Sequence, residues 1–383
     1  MARVSLSWAL ILGLLSGIGP LCTDFYLPAL PEITQQLQAT STQTQLSLTA
    51  ALIGLGLGQL FFGPLSDRIG RLKPLALSLL LFIFSSAMCA QTRDINMLIV
   101  WRFLQGFAGA GGSVLSRSIA RDKYQGTLLT QFFALLMTVN GIAPVLGGYV
   151  ITAFDWRILF WTMAAIGGVL LVMSLAILRE TRPATAAHAS RQRPGQPVLK
   201  NRRFLRFCLI QAFMMAGLFS YIGSSSFVMQ SEYGMSAMQF SLLFGLNGIG
   251  LIITAMIFSR LARRFSAESL LRGGLTLAVS CAAIMLLFAW LHLPVLALVG
   301  LFFTVSLMSG ISTVAGAEAM SAVDAAQSGT ASALMGTLMF VFGGIAAPLA
   351  GLGGETMLKM SLAMAICYLL ALLLGLSKPR DAR

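Results

Sequence analysis

The sequence predicts an all-α polytopic membrane protein with twelve transmembrane helices in two six-helix halves. Of its 383 residues, 57% are hydrophobic and only 10% are charged, and the mean hydropathy is +0.84. A soluble domain carries about 25% charged residues. Apolar runs of about 20 residues recur along the chain, which is the length that an α-helix needs to cross a bilayer core. The runs lack polar–apolar alternation, so helices are expected rather than barrel strands.

The apolar runs define twelve candidate spans. In chain order they cover residues 7–29, 44–65, 74–91, 96–118, 127–153, 157–178, 204–229, 238–260, 269–290, 295–318, 329–351 and 356–376. A polar segment at 179–203, rich in Arg, Ala, Pro and Gln, separates spans one to six from spans seven to twelve. It predicts a flexible cytoplasmic linker between an N-terminal half at 1–178 and a C-terminal half at 204–383.

The basic residues predict the orientation. With the N-terminus in the cytoplasm, all but four of the 26 Lys and Arg residues lie in cytoplasmic segments. Three of the four exceptions, Arg93, Arg157 and Lys359, fall in outer segments, and Arg102 lies within span four. The positive-inside rule therefore places both termini in the cytoplasm. The net charge of +13 does not indicate nucleic-acid binding, because the basic residues are spread between apolar runs.

One acidic side chain interrupts the first apolar run. Asp24 lies in the stretch Pro-Leu-Cys-Thr-Asp-Phe-Tyr-Leu-Pro at 20–28. A charge inside a span costs about 3 kcal/mol or more on insertion scales, so Asp24 needs a partner or a water-filled cavity. Counted from the outer ends of spans one and four, Asp24 and Arg102 both lie about 8–9 Å deep. The sequence predicts that they face each other, as a structural ion pair, as a proton-coupling pair, or as both.

A polar loop with a distinct pattern joins spans two and three at 63–73. Gly70 permits a tight turn with positive φ. Arg71 is expected to pair with Asp122 in the next cytoplasmic loop, and Asp67 is placed to meet the positive N-terminal end of another helix. The alternative is an ordinary positive-inside loop. An acid at this place does not serve orientation, which favours a specific role.

This loop resembles the signature of the major facilitator superfamily, G-x-L-A-D-R-x-G-R-K. The matching residues are Gly63, Leu65, Asp67, Arg68, Gly70 and Arg71. Leu72 stands where the family usually has a base. The resemblance implies a twelve-helix fold in which this loop locks the cytoplasmic side of the outward-open state. It also implies that the acid faces the start of helix eleven, here at Ser328, and we assign Arg121 and Asp122 to the same cytoplasmic gate.

Two further motifs narrow the resemblance. The run 102–106, Arg-Phe-Leu-Gln-Gly, resembles the R-x-x-Q-G element of the family. The run 143–148 resembles the antiporter motif G-P-x-x-G-G, with Ala143 in place of the first glycine. In the second motif Pro144 bends the helix, and Gly147 and Gly148 permit close approach, although such residues are common in membrane helices. With the stretch at 24–31, the chain resembles Bcr/CflA-type drug:proton antiporters. That resemblance implies that the acid at position 24 serves proton coupling and drug binding.

The remaining polar residues within the spans are candidates for a substrate cavity. They are Tyr26, Gln105, Asn140, Gln211, Tyr221, Ser225, Asn247, Ser306, Ser309 and Thr313. Each can equally be a polar residue that packs helices together.

The expected function is proton-coupled efflux of small amphiphilic drugs, similar to chloramphenicol or bicyclomycin, across the bacterial inner membrane by alternating access. The expected partners are substrate, protons and the lipid bilayer, with no nucleic acid, cofactor or metal, and the protein is expected to function as a monomer. The alternative on the same scaffold is a transporter of a small metabolite such as a nucleoside or amino acid, because fold does not fix substrate. A membrane enzyme is disfavoured, since no nucleophile–base pair or metal-ligand cluster is apparent.

Overall fold

The described chain is built from helices. The computed structural model describes residues 6–123, 154–181, 200–323 and 328–377, and every regular element in these ranges is helical. The α-helices are α1 Leu6–Ser16, α2 Ile18–Asp24, α3 Leu30–Gln36, α4 Ser41–Ile69, α5 Leu72–Gln91, α6 Ile95–Lys123, α7 Arg157–Ile177, α8 Arg202–Phe227, α9 Ala237–Leu261, α10 Ala267–Trp290, α11 Pro294–Ser321, α12 Ser328–Ala350 and α13 Met357–Leu376. A π-helical turn, Val228–Glu232, extends α8.

Nine helices in the described ranges are long and apolar enough to cross a membrane, or ten if one bent pair counts as a span. The all-helical, multi-pass architecture is therefore confirmed. The total of twelve spans and the cytoplasmic position of both termini stay predictions. The predicted fifth span, 127–153, lies outside the described residues, as does most of the predicted linker.

The first span is broken, whereas the sequence analysis expected a continuous helix over 7–29. α2 ends at Asp24, a 3₁₀ turn covers Leu27–Ala29, and α3 continues to Gln36. The 46° bend of the span lies earlier in the chain, between its parts Leu10–Ser16 and Leu21–Gln36. Proline has no amide hydrogen to donate to the helix ladder, and Pro28 lies at the 3₁₀ turn. Asp24 therefore lies at an internal break and not near the outer end of the span.

Side-chain caps set the first residues of several helices. Thr40 and Gln43 form a capping box that starts α4 at Ser41, three residues before the predicted start. Ser236 and Gln239 form the same arrangement before α9. These caps satisfy amide groups that have no partner within the helix. They explain why the observed helices extend beyond the apolar runs.

The chain divides into two compact units, Met1–Arg193 and Pro194–Arg383. In the first unit, α4 and α6 meet backbone to backbone. A Cβ atom on Gly106 would overlap the carbonyl oxygen of Ala51, and one on Gly54 would overlap that of Phe103. Small residues at such points allow close packing of membrane helices. The α4–α6 contact therefore depends on the absence of side chains.

In the second unit, α8 packs against α11, α12 and α13. The ring of Tyr368 in α13 covers Gly217 of α8, and the ring of Phe219 in α8 covers Gly343 of α12. Large apolar side chains remain on the outer surfaces of both units, for example Val172 at 67% exposure and Val295 at 71%. Such surfaces are rare on soluble proteins and suit lipid contact.

Replacing Gly106 by Ala should destabilise the protein by about 1–3 kcal/mol, because the new methyl group meets backbone that can only move with the whole helix. The matched control is Gly168→Ala in α7, where a Cβ atom would meet nothing within 4 Å. Thermal unfolding of both purified variants in the same detergent provides the comparison. Equal melting temperatures for the two variants would show that α4 and α6 are not packed this closely.

Candidate functional site

Arg102 lies in α6 with a fully buried side chain. Its guanidinium donates one hydrogen bond to the carbonyl oxygen of Cys22 at 2.5 Å and another to the Oε1 atom of Gln105 at 2.5 Å. Cys22 belongs to the last turn of α2, where carbonyl groups lack partners within their own helix. The guanidinium therefore joins span four to the break in the first span.

An aromatic ring covers the same guanidinium. The Cζ atom of Arg102 lies 4.3 Å from the centre of the Tyr26 ring, which is the distance of a cation–π contact. The Tyr26 hydroxyl shares a hydrogen bond with the Ser47 hydroxyl of α4. The ring of Phe160 in α7 lies 5.7 Å from the Tyr26 ring. Tyr26, predicted as a cavity residue, is thus fixed against three helices.

Gln105 holds the guanidinium in place. Its Nε2 group donates to the hydroxyl of Ser86 in α5 at 2.8 Å, while its Oε1 atom accepts from Arg102. The side-chain amide is fully buried, so its orientation is determined by these partners. Ser86 was not among the predicted residues, because a single serine within an apolar run gives no sequence signal.

Asp24 is half-buried at the C-terminal end of α2. Its carboxylate accepts a hydrogen bond from the hydroxyl of Thr23 at 2.8 Å. In the described part of the chain, no ion pair joins Asp24 to Arg102. The two residues are instead linked through the backbone, since Arg102 binds the carbonyl of Cys22 two positions before Asp24. The role of Asp24 and Arg102 in proton coupling stays a prediction.

The loop between α4 and α5 forms a polar cluster around Arg71. The Nε group of Arg71 donates to Asp122 at 2.9 Å, which is the predicted pairing, and its Nη1 group donates to Asp67 at 2.6 Å. Nη1 also donates to the Ser66 hydroxyl at 2.7 Å. Burial of the side chain opposes its charge, but Asp122 and then Asp67 raise the pKa of Arg71 above its ordinary value. The guanidinium therefore remains charged at every physiological pH.

Glu180 completes this cluster from the end of the sixth predicted span. Its carboxylate accepts hydrogen bonds from the backbone amides of Arg71 at 2.9 Å and Leu72 at 3.2 Å, at the start of α5. A carboxylate is stabilised at a helix N-terminus by free amides and by the helix dipole. Gly70 has the predicted positive φ, +96°, and a Cβ atom there would lie 2.6 Å from Glu180. The sequence analysis missed Glu180, although an acid just before a basic segment is a usable signal.

The other loop residues are placed less specifically. Arg68 is exposed, and Gly63 leaves ordinary van der Waals room beside Val114. The predicted contact of Asp67 with the helix that begins at Ser328 stays a prediction. The side chains of Arg121 and Ser328 lie outside the described part of the structure, as do the predicted residues Asn140, Pro144, Gly147 and Gly148.

In the second unit, one predicted pair of cavity residues meets. The side-chain amide of Asn247 in α9 donates to the hydroxyl of Tyr221 in α8 at 2.8 Å, and both residues are buried. The Tyr221 ring stacks on Phe244 with ring centres 5.4 Å apart. These contacts fix a polar hydroxyl–amide pair between two helices.

The remaining candidates of the second unit divide into two groups. The hydroxyls of Ser225, Ser306 and Thr313 donate to carbonyl groups of their own helices, while Ser309 is half-buried. By contrast, the Oε1 atom of Gln211 and the hydroxyl of Ser312 are buried without hydrogen-bond partners among the described residues. Ser312 was not predicted as a cavity residue. Its hydroxyl has no partner among the described residues, whereas the hydroxyls of Ser306 and Thr313 donate to carbonyls of their own helix.

The sequence profile of the Major Facilitator Superfamily matches residues 12–348. The chain belongs to this family. It is a multi-pass membrane transporter and not an enzyme. The facilitator chain is 36% identical to the MFS-type transporter YdgK of Bacillus subtilis over 98% of its own length and 96% of that protein.

Two named groups of relatives extend this comparison. A bicyclomycin resistance protein homolog of Haemophilus influenzae is 28% identical over 95% of this chain and 94% of that protein. The multidrug resistance protein MdtL of Escherichia coli is 31% identical over 72% of each chain. The predicted resemblance to Bcr/CflA-type transporters is thereby confirmed.

Solved structures share the fold of this facilitator. The xylose transporter XylE of E. coli, in a partially occluded inward-open conformation, gives a TM-score of 0.75 at 12% identity over 98% of this chain and 99% of that one. The human organic anion transporter MFSD10 gives 0.66 at 19% identity over 96% and 99%. At these identities the likeness shows the major facilitator fold alone.

Replacing Arg102 by Met should lower stability, because the carbonyl of Cys22 and the amide of Gln105 lose their buried donor. Each group left unsatisfied costs about 1–3 kcal/mol. Replacement by Lys should cost less, because the ammonium retains the charge. It should still cost some stability, because the ammonium lacks the planar fork of the guanidinium. The control is Arg93→Met at an exposed loop position. Thermal unfolding in one detergent compares the variants, and a Met variant as stable as the control would contradict the assigned contacts.

Proposed function

We propose that this facilitator is a proton-coupled exporter of small amphiphilic drugs in the bacterial inner membrane, working by alternating access. The observation that carries the proposal is the break in the first span. There an acid, Asp24, lies two residues from a carbonyl that is held by the buried guanidinium of Arg102. The names of the relatives, bicyclomycin resistance and multidrug resistance proteins, support drug efflux.

The broken span gives Asp24 a way to respond to protons. Arg102 fixes the chain at Cys22 and contacts the ring of Tyr26, so the two positions that flank Asp24 are anchored to α6. Burial favours the neutral acid, whereas a nearby positive charge favours the carboxylate. A movement that changes either influence changes the affinity of the acid for a proton. Proton binding and release are then coupled to the exchange between outward-open and inward-open states.

The guanidinium of Arg102 has one further N–H group that can donate a hydrogen bond. The Nε–H of Arg102 is buried and has no hydrogen-bond partner among the described residues. A buried donor of this kind favours an acceptor that approaches it. We assign the carboxylate of Asp24 as the acceptor for this donor in one of the two states. Formation of that hydrogen bond stabilises the carboxylate, so it promotes proton release from Asp24.

The substrate class follows from the side chains of the second unit. Its described cavity candidates are an amide–hydroxyl pair, Asn247 and Tyr221, together with Gln211, whose Oε1 atom lacks a partner. Neutral donors and acceptors among apolar side chains suit an amphiphilic molecule with few polar groups. The best first test is a susceptibility panel of drugs, nucleosides and amino-acid analogues in cells that lack their main efflux pumps, with and without this protein.

The cluster around Arg71 is proposed as the cytoplasmic gate of the transporter. Arg71 and Asp122 are nearly buried, at 5% and 9% side-chain exposure, whereas Asp67 remains 59% exposed. The buried pair suits a structural role, and the exposed acid is free to serve a contact that forms in one state only. We therefore assign the switching role to Asp67 and the supporting role to Arg71, Asp122 and Glu180.

Replacing Asp24 by Asn should abolish proton-driven efflux while the protein stays folded in the membrane, because the amide cannot bind and release a proton. Efflux and substrate-induced proton release are measured in proteoliposomes. The matched control is Asp94→Asn. Asp94 is an exposed loop residue whose carboxylate accepts a hydrogen bond from the backbone amide of Met97, and an Asn side chain can keep this bond. If the Asp24 variant releases protons and exports drug as the wild type does, Asp24 is not the coupling residue.

Replacing Asp67 by Asn should shift the protein toward the inward-open state without unfolding it, since Arg71 keeps its bond to Asp122. The readout is labelling of a single cysteine at half-buried Ser309, in a background without the five native cysteines. An impermeant maleimide added to inside-out vesicles reports only cytoplasmic access. Labelling should increase several-fold over the same single-cysteine protein that retains Asp67. Unchanged labelling together with unchanged transport would mean that the loop serves only to orient the protein in the membrane.

A further inference from the structure

The loop between α9 and α10 carries an excess of positive charge. Arg260 lies in the last turn of α9, and Arg263 and Arg264 follow before α10 begins at Ala267. All three arginines are exposed. Both flanking helices are long and apolar enough to cross a membrane, so the short loop that joins them lies at the membrane surface.

Within the described ranges, no carboxylate forms an ion pair with these three arginines. The acid in the first turn of α10, Glu268, is engaged by other bases. Its carboxylate lies 3.4 Å from the guanidinium of Arg206 and 3.2 Å from that of Arg272. The loop therefore has positive charge that the neighbouring acid does not neutralise.

The loop between α4 and α5 occupies the same place in the first unit, because each of the two loops follows the second span of its unit. There the guanidinium of Arg71 lies between the carboxylates of Asp67 and Asp122. The α9–α10 loop has bases at this place but no such acids. Its positive charge remains available to a partner outside the chain.

Apolar side chains lie beside this charge. Ile253 and Ile257 precede Arg260 by seven and three positions, so the three side chains share one face of α9. Both isoleucines are exposed, and Ile253 lies about 10 Å further into the span than Arg260. Phe265 adds an aromatic ring in the loop itself, with 55% of its surface exposed. The surface thus matches a ligand with an anionic head and a long apolar tail.

We propose that the α9–α10 loop binds an anionic phospholipid of the bilayer. The guanidiniums of Arg260, Arg263 and Arg264 hold its phosphate, and an acyl chain lies along Ile253 and Ile257. Guanidinium groups bind phosphate through a planar fork of N–H donors. A soluble anion would use the charges and leave the apolar face uncovered. This binding does not depend on the proposed transport reaction.

The test uses the full-length protein in detergent, with native mass spectrometry as the measure of the Kd for the first bound lipid. The wild type should bind dioleoylphosphatidylglycerol at least fivefold more tightly than zwitterionic dioleoylphosphatidylcholine. Replacing Arg260, Arg263 and Arg264 together by Gln should raise the Kd for the glycerol lipid at least tenfold, because each base near a membrane surface contributes about fivefold. The Kd for the choline lipid should stay within about twofold. Replacing the same three residues by Lys keeps the charge, so binding should stay within about threefold of the wild type.

A second triple variant tests the location. Lys73→Gln, Arg93→Gln and Arg179→Gln remove the same charge from exposed positions of the first unit, and the Kd should stay within about twofold. The single change Arg260→Gln should raise the Kd about fivefold, which keeps the test valid if the triple loop variant is poorly folded. The Asp24→Asn protein should bind the lipid as the wild type does, so failure here and failure of the transport proposal are separate results.

Three results would overturn the proposal. The first is equal affinity of the wild type for the two lipids. The second is an equal loss of affinity in the two triple Gln variants, which would mean that net charge attracts the lipid and not this loop. The third is that inorganic phosphate raises the melting temperature of the wild type as much as the glycerol lipid does, which would indicate a site for a soluble anion.

Discussion

The guanidinium of Arg102 is the group around which the first unit is arranged. A permanent charge inside a membrane protein persists only where polar partners surround it. The carbonyl of Cys22, the amide of Gln105 and the ring of Tyr26 supply these partners from two spans. The carbonyl is accessible because the first span breaks after Asp24. The buried charge of Arg102 therefore needs the carbonyl at the helix break, and that carbonyl needs the charged donor. Asp24 lies at this break.

Structural features that depend on a pattern of a few neighbouring residues could be predicted from the sequence. Apolar runs located the nine long apolar helices of the described ranges, the position of Gly70 predicted its positive φ, and Arg71 was paired correctly with Asp122. Contacts between distant positions could not be predicted in this way. Glu180 binds the amide of Arg71 across 109 positions, and no periodicity reports such a contact. The ends of the spans were underestimated, because polar caps such as Thr40 extend helices past their apolar runs.

In the candidate site, too, local patterns predicted some features and missed the contacts between distant positions. Hydropathy identified Asp24 and Arg102 as unusual, and the assumption of a continuous helix then placed them at one depth as a facing pair. The structure instead joins them through a backbone carbonyl, which every residue has and which no sequence pattern marks. Among the hydroxyls, the sequence could not distinguish Ser306, which donates to its own helix, from Ser312, which has no described partner.

The anchoring of Glu180 and Asn201 limits the length of chain that connects the two units. Glu180 is bound at the start of α5, and Asn201 caps α8 and donates to the carbonyl of Ala322. The chain between these fixed points has a contour length of about 70 Å when fully extended. A covalent connection of that length keeps two bodies at an effective concentration on the order of millimolar. The local concentration of one unit around the other is therefore independent of how much protein the membrane contains.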